Sequence, residues 1–115
     1  IVQHDITTPL PNSPFDITFG HVVLKFIPTE KQWDALRYSH DALRQGGMAV
    51  HVFDEEEVGV PGPLLADGYF AVPLSRYKER CDHEGIMWKE IRWNFTVEKE
   101  GSPIPVRGGV FVLIR

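Results

Sequence analysis

The chain has one cysteine, Cys81, in 115 residues. A lone thiol forms no internal disulfide, which points to a reducing compartment, the cytoplasm, and away from a secreted disulfide scaffold. Basic residues are also scarce. Twelve Lys and Arg face sixteen Asp and Glu, for a formal charge of −4, and the densest charge run, Asp54-Glu55-Glu56-Glu57, is acidic. A field of that sign repels phosphate backbones, so nucleic acid is not an expected partner. No apolar run approaches the roughly 20 residues that span a bilayer. The first eleven residues, IVQHDITTPLP, lack the basic segment and apolar stretch of a signal peptide, and no membrane association is expected. Repeats and low-complexity tracts are absent, no metal site is indicated, and no glycine-rich loop follows a strand to cradle a phosphate. Asn94-Phe95-Thr96 matches a glycosylation sequon, an accidental match in a cytosolic chain.

What is present is globular: 43% apolar and 24% charged residues, in a length that supports one compact core and not two. Ile1 to Ile6 reads as the tail of a strand, and Thr7 to Pro14, with three prolines, as a loop. Phe15 to Gly20 is β-branched and aromatic and ends in glycine, which predicts a strand. His21 to Ile27 reads as a turn or short helix packed on the sheet. Thr29-Glu30-Lys31-Gln32 has the form of a capping box, with the Thr hydroxyl and Gln side chain closing the first turn of a helix. Trp33, Leu36, His40 and Leu43 then recur on one helical face, and Gly46-Gly47 reads as its left-handed stop. Met48 to Phe53 is the nearly continuous apolar run of a strand buried on both faces. Positions 15 to 53 therefore form a βαβ unit with parallel strands.

Asp54 to Pro73 carries three glycines and three prolines and reads as a lid or substrate loop. A second helix, Arg76 to Glu84, is capped by Ser75 and closed by Gly85. Ile86–Val97 and Gly109–Arg115, joined by a turn beginning at Glu100-Gly101, read as an antiparallel hairpin.

In their order these features resemble the C-terminal half of the class I S-adenosylmethionine-dependent methyltransferases. Asp5-Ile6 with a loop ending in Leu10-Pro11 resembles the family's "D-hydrophobic…LP" stretch. Phe15-Asp16-Ile17-Thr18-Phe19, then Val22-Val23-Leu24 and Phe26-Ile27-Pro28, resembles its fourth strand. Leu43-Arg44-Gln45-Gly46-Gly47 resembles the "LRPGG" that leads into strand five, with Gln where proline is commoner. The terminal hairpin resembles strands six and seven. The implied fold class is α/β, the C-terminal half of a Rossmann-like methyltransferase sheet, with residues 1–115 as a partial domain. The family's glycine-rich cofactor loop and acidic ribose holder have no counterpart here. Strands one to three, on the order of 100 residues, are expected to be missing from this chain.

The resemblance implies S-adenosylmethionine as cofactor, S-adenosylhomocysteine as product, and Asp5 and Ile6 beside the adenine. Gly20, His21 and Leu24 would also face the cofactor, since ligands sit beyond the carboxyl ends of strands. Methyl transfer from a sulfonium asks mainly for orientation, and a base matters only where the acceptor arrives protonated. His21 and His51 are the candidate bases, although a histidine inside a buried strand is as a rule a hydrogen-bonded core residue. Asp54, Tyr69 and Phe70 are candidates for the substrate side, the two aromatics as a pocket wall. The acidic run has the alternative of a solvated face, and Cys81 reads as an inert thiol.

The expected activity is methyl transfer to a small molecule by one piece of a split, nicked or truncated enzyme. Its partner would be the N-terminal half of the domain on another chain, or a second copy. The absence of an NPPY-like sequence after the fourth strand speaks against DNA or protein amines as acceptors. The competing expectation is an inactive methyltransferase-like fragment that serves as a binding or dimerisation module, because its first strand would present an open apolar edge. A nucleotide-binding α/β protein of another kind ranks third.

Overall fold

A computed structural model describes residues 4–54 and 69–115. Along them run β1 (Phe15–His21), a 3-10 turn (Leu24–Phe26), α1 (Thr29–Asp41), β2 (Leu43–Asp54), α2 (Leu74–Glu84), β3 (Met87–Lys99) and β4 (Ser102–Ile114). The strands form one sheet in the order β1-β2-β4-β3. β1 and β2 are parallel, and β4 runs antiparallel to both its neighbours. The α/β class, the βαβ unit and the terminal hairpin read from the sequence are all present. The hairpin turns at Glu100-Gly101, with φ of +53° and +78°. Two consecutive left-handed residues make the two-residue turn that matches strand twist.

Strand alternation sorts the side chains. Ala49, His51 and Phe53 of β2 and Phe111 and Leu113 of β4 face the helices and are buried. They pack with Leu36 of α1 and with Leu74, Tyr77 and Cys81 of α2. Each large apolar side chain fully withdrawn here contributes about 1.5–3 kcal/mol. Burial pushes the Cys81 thiol up to about 11, with Asp82 and Glu84 adding to the effect, so the sulfur stays protonated.

The opposite face of the sheet is uncovered among the described residues. The registers set its cross-strand rows: Ile17, Met48, Ile114 and Met87, then Phe19, Val50, Val112 and Lys89, then His21, Val52, Val110 and Ile91. Ile17, Phe19, Met48, Met87 and Ile91 are all exposed there. Sheets with parallel strands are normally covered on both faces, and among the described residues β1 is also an unpaired edge.

Several local expectations are corrected. Gly46-Gly47 does not end α1: the helix stops at Asp41 and Ala42 serves as its C-cap. The Ala42 carbonyl accepts the Phe15 amide at 2.8 Å, which turns the chain directly into β2. Both glycines lie inside β2 at a bulge, where two steps of β1 match five of β2. Gly46 takes φ of +85°, and a Cβ on Gly47 would come within 2.8 Å of the Asp16 carbonyl. Within β4, Gly109 lets the strand approach the β3 backbone at Ile91.

The capping box does not form, and neither does the Ser75 cap; Pro28 and Pro73 occupy the two N-cap positions. Thr29 and Gln32 instead make tertiary bonds. Thr29 Oγ1 donates to the Ala71 carbonyl, and the two protons of Gln32 Nε2 are shared among the carbonyls of Leu24, Ile27 and Ala71. Gln32 Oε1 accepts from the Tyr77 hydroxyl at 2.6 Å, which leaves this buried amide fully bonded. His4 to Thr8 is a turn and not a strand tail; Ile1 to Gln3 lie outside the described residues. So does most of the expected lid, Glu55 to Gly68.

Candidate functional site

β1 ends at His21, and the chain leaves the sheet through Val22 at φ +53°. A β-branched residue in the left-handed region costs on the order of 1–3 kcal/mol, and such strain clusters at functional sites. The Val22 amide is held by the Val52 carbonyl at 2.9 Å, and the 3-10 turn follows at once. This is the carboxyl end of a parallel pair, where open α/β sheets bind ligands.

Beneath β1, against α1, lies a cavity of about 120 Å³. Ile6, Gly20, Leu24 and His51, all nominated from the sequence, line it together with Leu10 and Ser39. Gly20 is required by proximity: a Cβ there would stand 2.9 Å from His51 Nδ1 and 3.1 Å from a Val23 methyl. His51 is 5% exposed. Its Nε2 lies 2.9 Å from Ser39 Oγ, while Nδ1 has no partner among the described residues. Burial lowers its pKa to about 4, so the imidazole is neutral at pH 7.

The other nominated residues lie elsewhere. His21 pairs with Val52 and shares the uncovered face with Phe19, whose ring stacks on it at a centroid distance of 6.5 Å. Gly20 and His51 pair on the helix-facing side, so the two candidate histidines stand on opposite faces of the sheet. Asp5 is exposed and does not line the cavity. Its carboxylate accepts from the Thr7 amide at 2.9 Å and the Thr7 hydroxyl at 2.7 Å, and these bonds hold its pKa below the usual value.

Asp54, Tyr69 and Phe70 gather on Lys25. The ammonium lies 2.9 Å from Asp54 Oδ2 and 4.5 Å from the Tyr69 ring centroid, and the Lys25 carbonyl accepts the Phe70 amide at 2.8 Å. Phe26 packs edge-on against Tyr69 at 5.0 Å. Lys25 and Ser39 are the partners that sequence reading missed. Neither has a motif: Lys25 sits on a three-residue 3-10 turn and Ser39 on α1, and the site partner of each, Asp54 and His51, lies on β2.

No family model matches the chain, and no curated protein matches it. Its backbone does match solved structures. The N-methyltransferase NodS from Bradyrhizobium japonicum WM9, solved with S-adenosyl-L-homocysteine, aligns at a TM-score of 0.61 and 15% identity over 96% of this chain and 52% of its own. TehB from Haemophilus influenzae aligns at 0.67 and 18% over 99% of this chain and 40% of its own. The chain has part of a Rossmann-like methyltransferase fold. It spans about half the length of NodS and less of TehB. A structure described as a pericyclic reaction enzyme also shares this methyltransferase fold, at a TM-score of 0.56 and 16% identity over 96% of this chain and 29% of its own. The fold therefore supports more than one chemistry.

Proposed function

We propose that this chain is the C-terminal part of an S-adenosylmethionine-dependent methyltransferase acting on a small molecule, completed by a segment that supplies the glycine-rich loop and strands one to three. That segment would be the N-terminal half of the domain. The observation that supports this reading is the bare flank: among the described residues β1 is an unpaired parallel edge, and the sheet face behind it exposes Ile17 and Phe19. Solved structures of this fold extend well beyond the length matched here.

The described residues fit one end of the cofactor and no more. A cavity of about 120 Å³ takes a single ring, not a nucleoside joined to methionine. Ile6, Gly20 and Leu24 would hold the adenine side, with Asp5 at the rim. When bound, the cofactor supplies a methyl group on a sulfonium. This chain's part is to orient and to exclude water. Of the two histidines, His21 is the better base for a protonated acceptor, because it is exposed at the strand end, whereas His51 is enclosed and weakly basic. Asp54, Tyr69 and Phe70 would border the acceptor, held in place by Lys25.

Intact-mass analysis of the purified material, followed by calorimetry with S-adenosylhomocysteine, tests this. A glycine-rich-loop segment in that material, and heat of binding only when it is present, supports it. Material that contains the segment and shows no binding sinks it.

The same bare flank favours a second reading, a methyltransferase-like module that pairs with a second copy. A concentration-dependent dimer with no cofactor affinity would establish that one instead.

A further inference from the structure

We propose that the cavity beneath β1 is a binding site for a small, neutral aromatic molecule carrying one N–H or O–H donor, which it gives to His51 Nδ1. The inference starts from proton bookkeeping around Ser39. The Ser39 hydroxyl has one proton and lies 2.6 Å from the Leu36 carbonyl, which can only accept. That bond takes the proton, so Ser39 Oγ meets His51 as an acceptor and Nε2 must carry the hydrogen. Nδ1 is then the bare nitrogen. It is buried, has no partner among the described residues, and belongs to a side chain that lines the cavity. Folded proteins rarely leave a buried polar atom in that state, and a ligand or ion is one reason they do.

The rest of the wall selects the ligand. The Thr18 hydroxyl also lines the cavity, and its proton is given to the Ser39 carbonyl at 3.0 Å. Both hydroxyl donors are thus engaged within the protein, and the polar atoms left over can only accept. Carboxylates and carbonyl groups find no donor here, and a neutral imidazole offers an anion no charge. The remaining lining is apolar, from Ile6, Leu10, Val23 and Leu24. A volume of about 120 Å³ is close to that of apolar cavities that admit benzene. Ile6, which is exposed, also lines it. Phenols and aromatic amines fit all of these constraints. An adenine ring, with its exocyclic amine, shares the same chemistry. The inference does not depend on methyl transfer, since a chain with no cofactor affinity would have the same pocket.

The test is nitrogen NMR of the His51 ring in the purified full chain with whatever partner it carries, titrated with phenol, toluene and adenosine. The free protein should show a protonated Nε2 and a bare Nδ1. Phenol should shift the Nδ1 signal and bind about ten-fold more tightly than toluene, the value of one net hydrogen bond. A matching shift with adenosine assigns the pocket to the cofactor's ring; phenol alone assigns it to a separate small molecule. In His51→Phe, toluene binding should persist while the preference for phenol disappears. A protonated Nδ1 in the free protein, equal affinity for phenol and toluene, or no shift with either donor overturns the proposal. Those results come from the wild-type chain and stand even if the variant fails to fold. The methyltransferase reading fails separately, by calorimetry with S-adenosylhomocysteine.

Discussion

Lys25 Nζ lies 2.9 Å from Asp54 Oδ2, and both side chains are only 14% exposed. The same ammonium faces the Tyr69 ring, so one lysine on a 3-10 turn binds the residues on both sides of positions 55–68. Asp54 and Tyr69 were read from the sequence as substrate contacts. In the fold each has an internal partner, and any role in binding is exercised from that anchored position.

Replacing Lys25 by Met should therefore destabilise the chain by about 2–4 kcal/mol, because Asp54 is left largely buried without its cation and the ring contact is lost. Denaturant midpoints give the magnitude, and faster exchange of the Phe70 amide should accompany it. Pairing Lys25→Met with Asp54→Asn should cost less than the two separate losses combined.

Gly20→Ala should cost about 1–3 kcal/mol, since the new methyl would press on His51 Nδ1 at 2.9 Å. If that contact is the cause, His51→Ala removes it. The double variant should then recover on the order of 1 kcal/mol relative to additivity. Strict additivity would mean that the strain lies elsewhere.

The pH dependence follows from the same histidine. Its folded pKa is depressed to about 4 from an ordinary 6.5. The unfolded chain thus takes up a proton in this window while the native state does not, and native stability falls as pH drops. The contribution is full above pH 6.5, declines between 6.5 and about 4, and is gone below; its size is on the order of 3 kcal/mol. Stability curves for His51→Phe should lack that slope. An unchanged slope would show that His51 is not what titrates.

Gln32→Leu should lose about 2–4 kcal/mol, because it strips partners from the carbonyls of Leu24, Ile27 and Ala71 and from the Tyr77 hydroxyl together. Tyr77→Phe, which removes the hydroxyl's bond to Gln32, should cost about 1 kcal/mol. Equal losses in the two variants would mean that Gln32 is not the hub.

Phe19→Asp places a charge on the uncovered face, where the ring is 66% exposed. Stability of the isolated chain should change by less than about 1 kcal/mol. Association with a completing segment or a second copy should fall sharply, as sedimentation would show. Undiminished association would place the partner elsewhere.

The sequence by itself determined the elements and their class. Alternation in Phe15 to Gly20, the apolar run Met48 to Phe53 and the helical spacing of Trp33 and Leu36 state which residues leave water, and that is a property of each local segment. The βαβ unit and the hairpin follow from those segments and from chain handedness. The tertiary structure decided where polar groups find partners. Thr29 and Gln32 have the spacing of a capping box, but an internal carbonyl cluster at Leu24, Ile27 and Ala71 takes their hydrogen bonds instead. Gly46-Gly47 has the form of a helix stop, but the close approach of Asp16 makes it a bulge within β2. The sequence already marks His51 as a core residue of a buried strand, and strand register adds that it and His21 stand on opposite faces. Burial is largely encoded along the chain by period and composition, whereas a hydrogen bond needs two groups within about 3 Å, and only the completed packing sets which groups come that close.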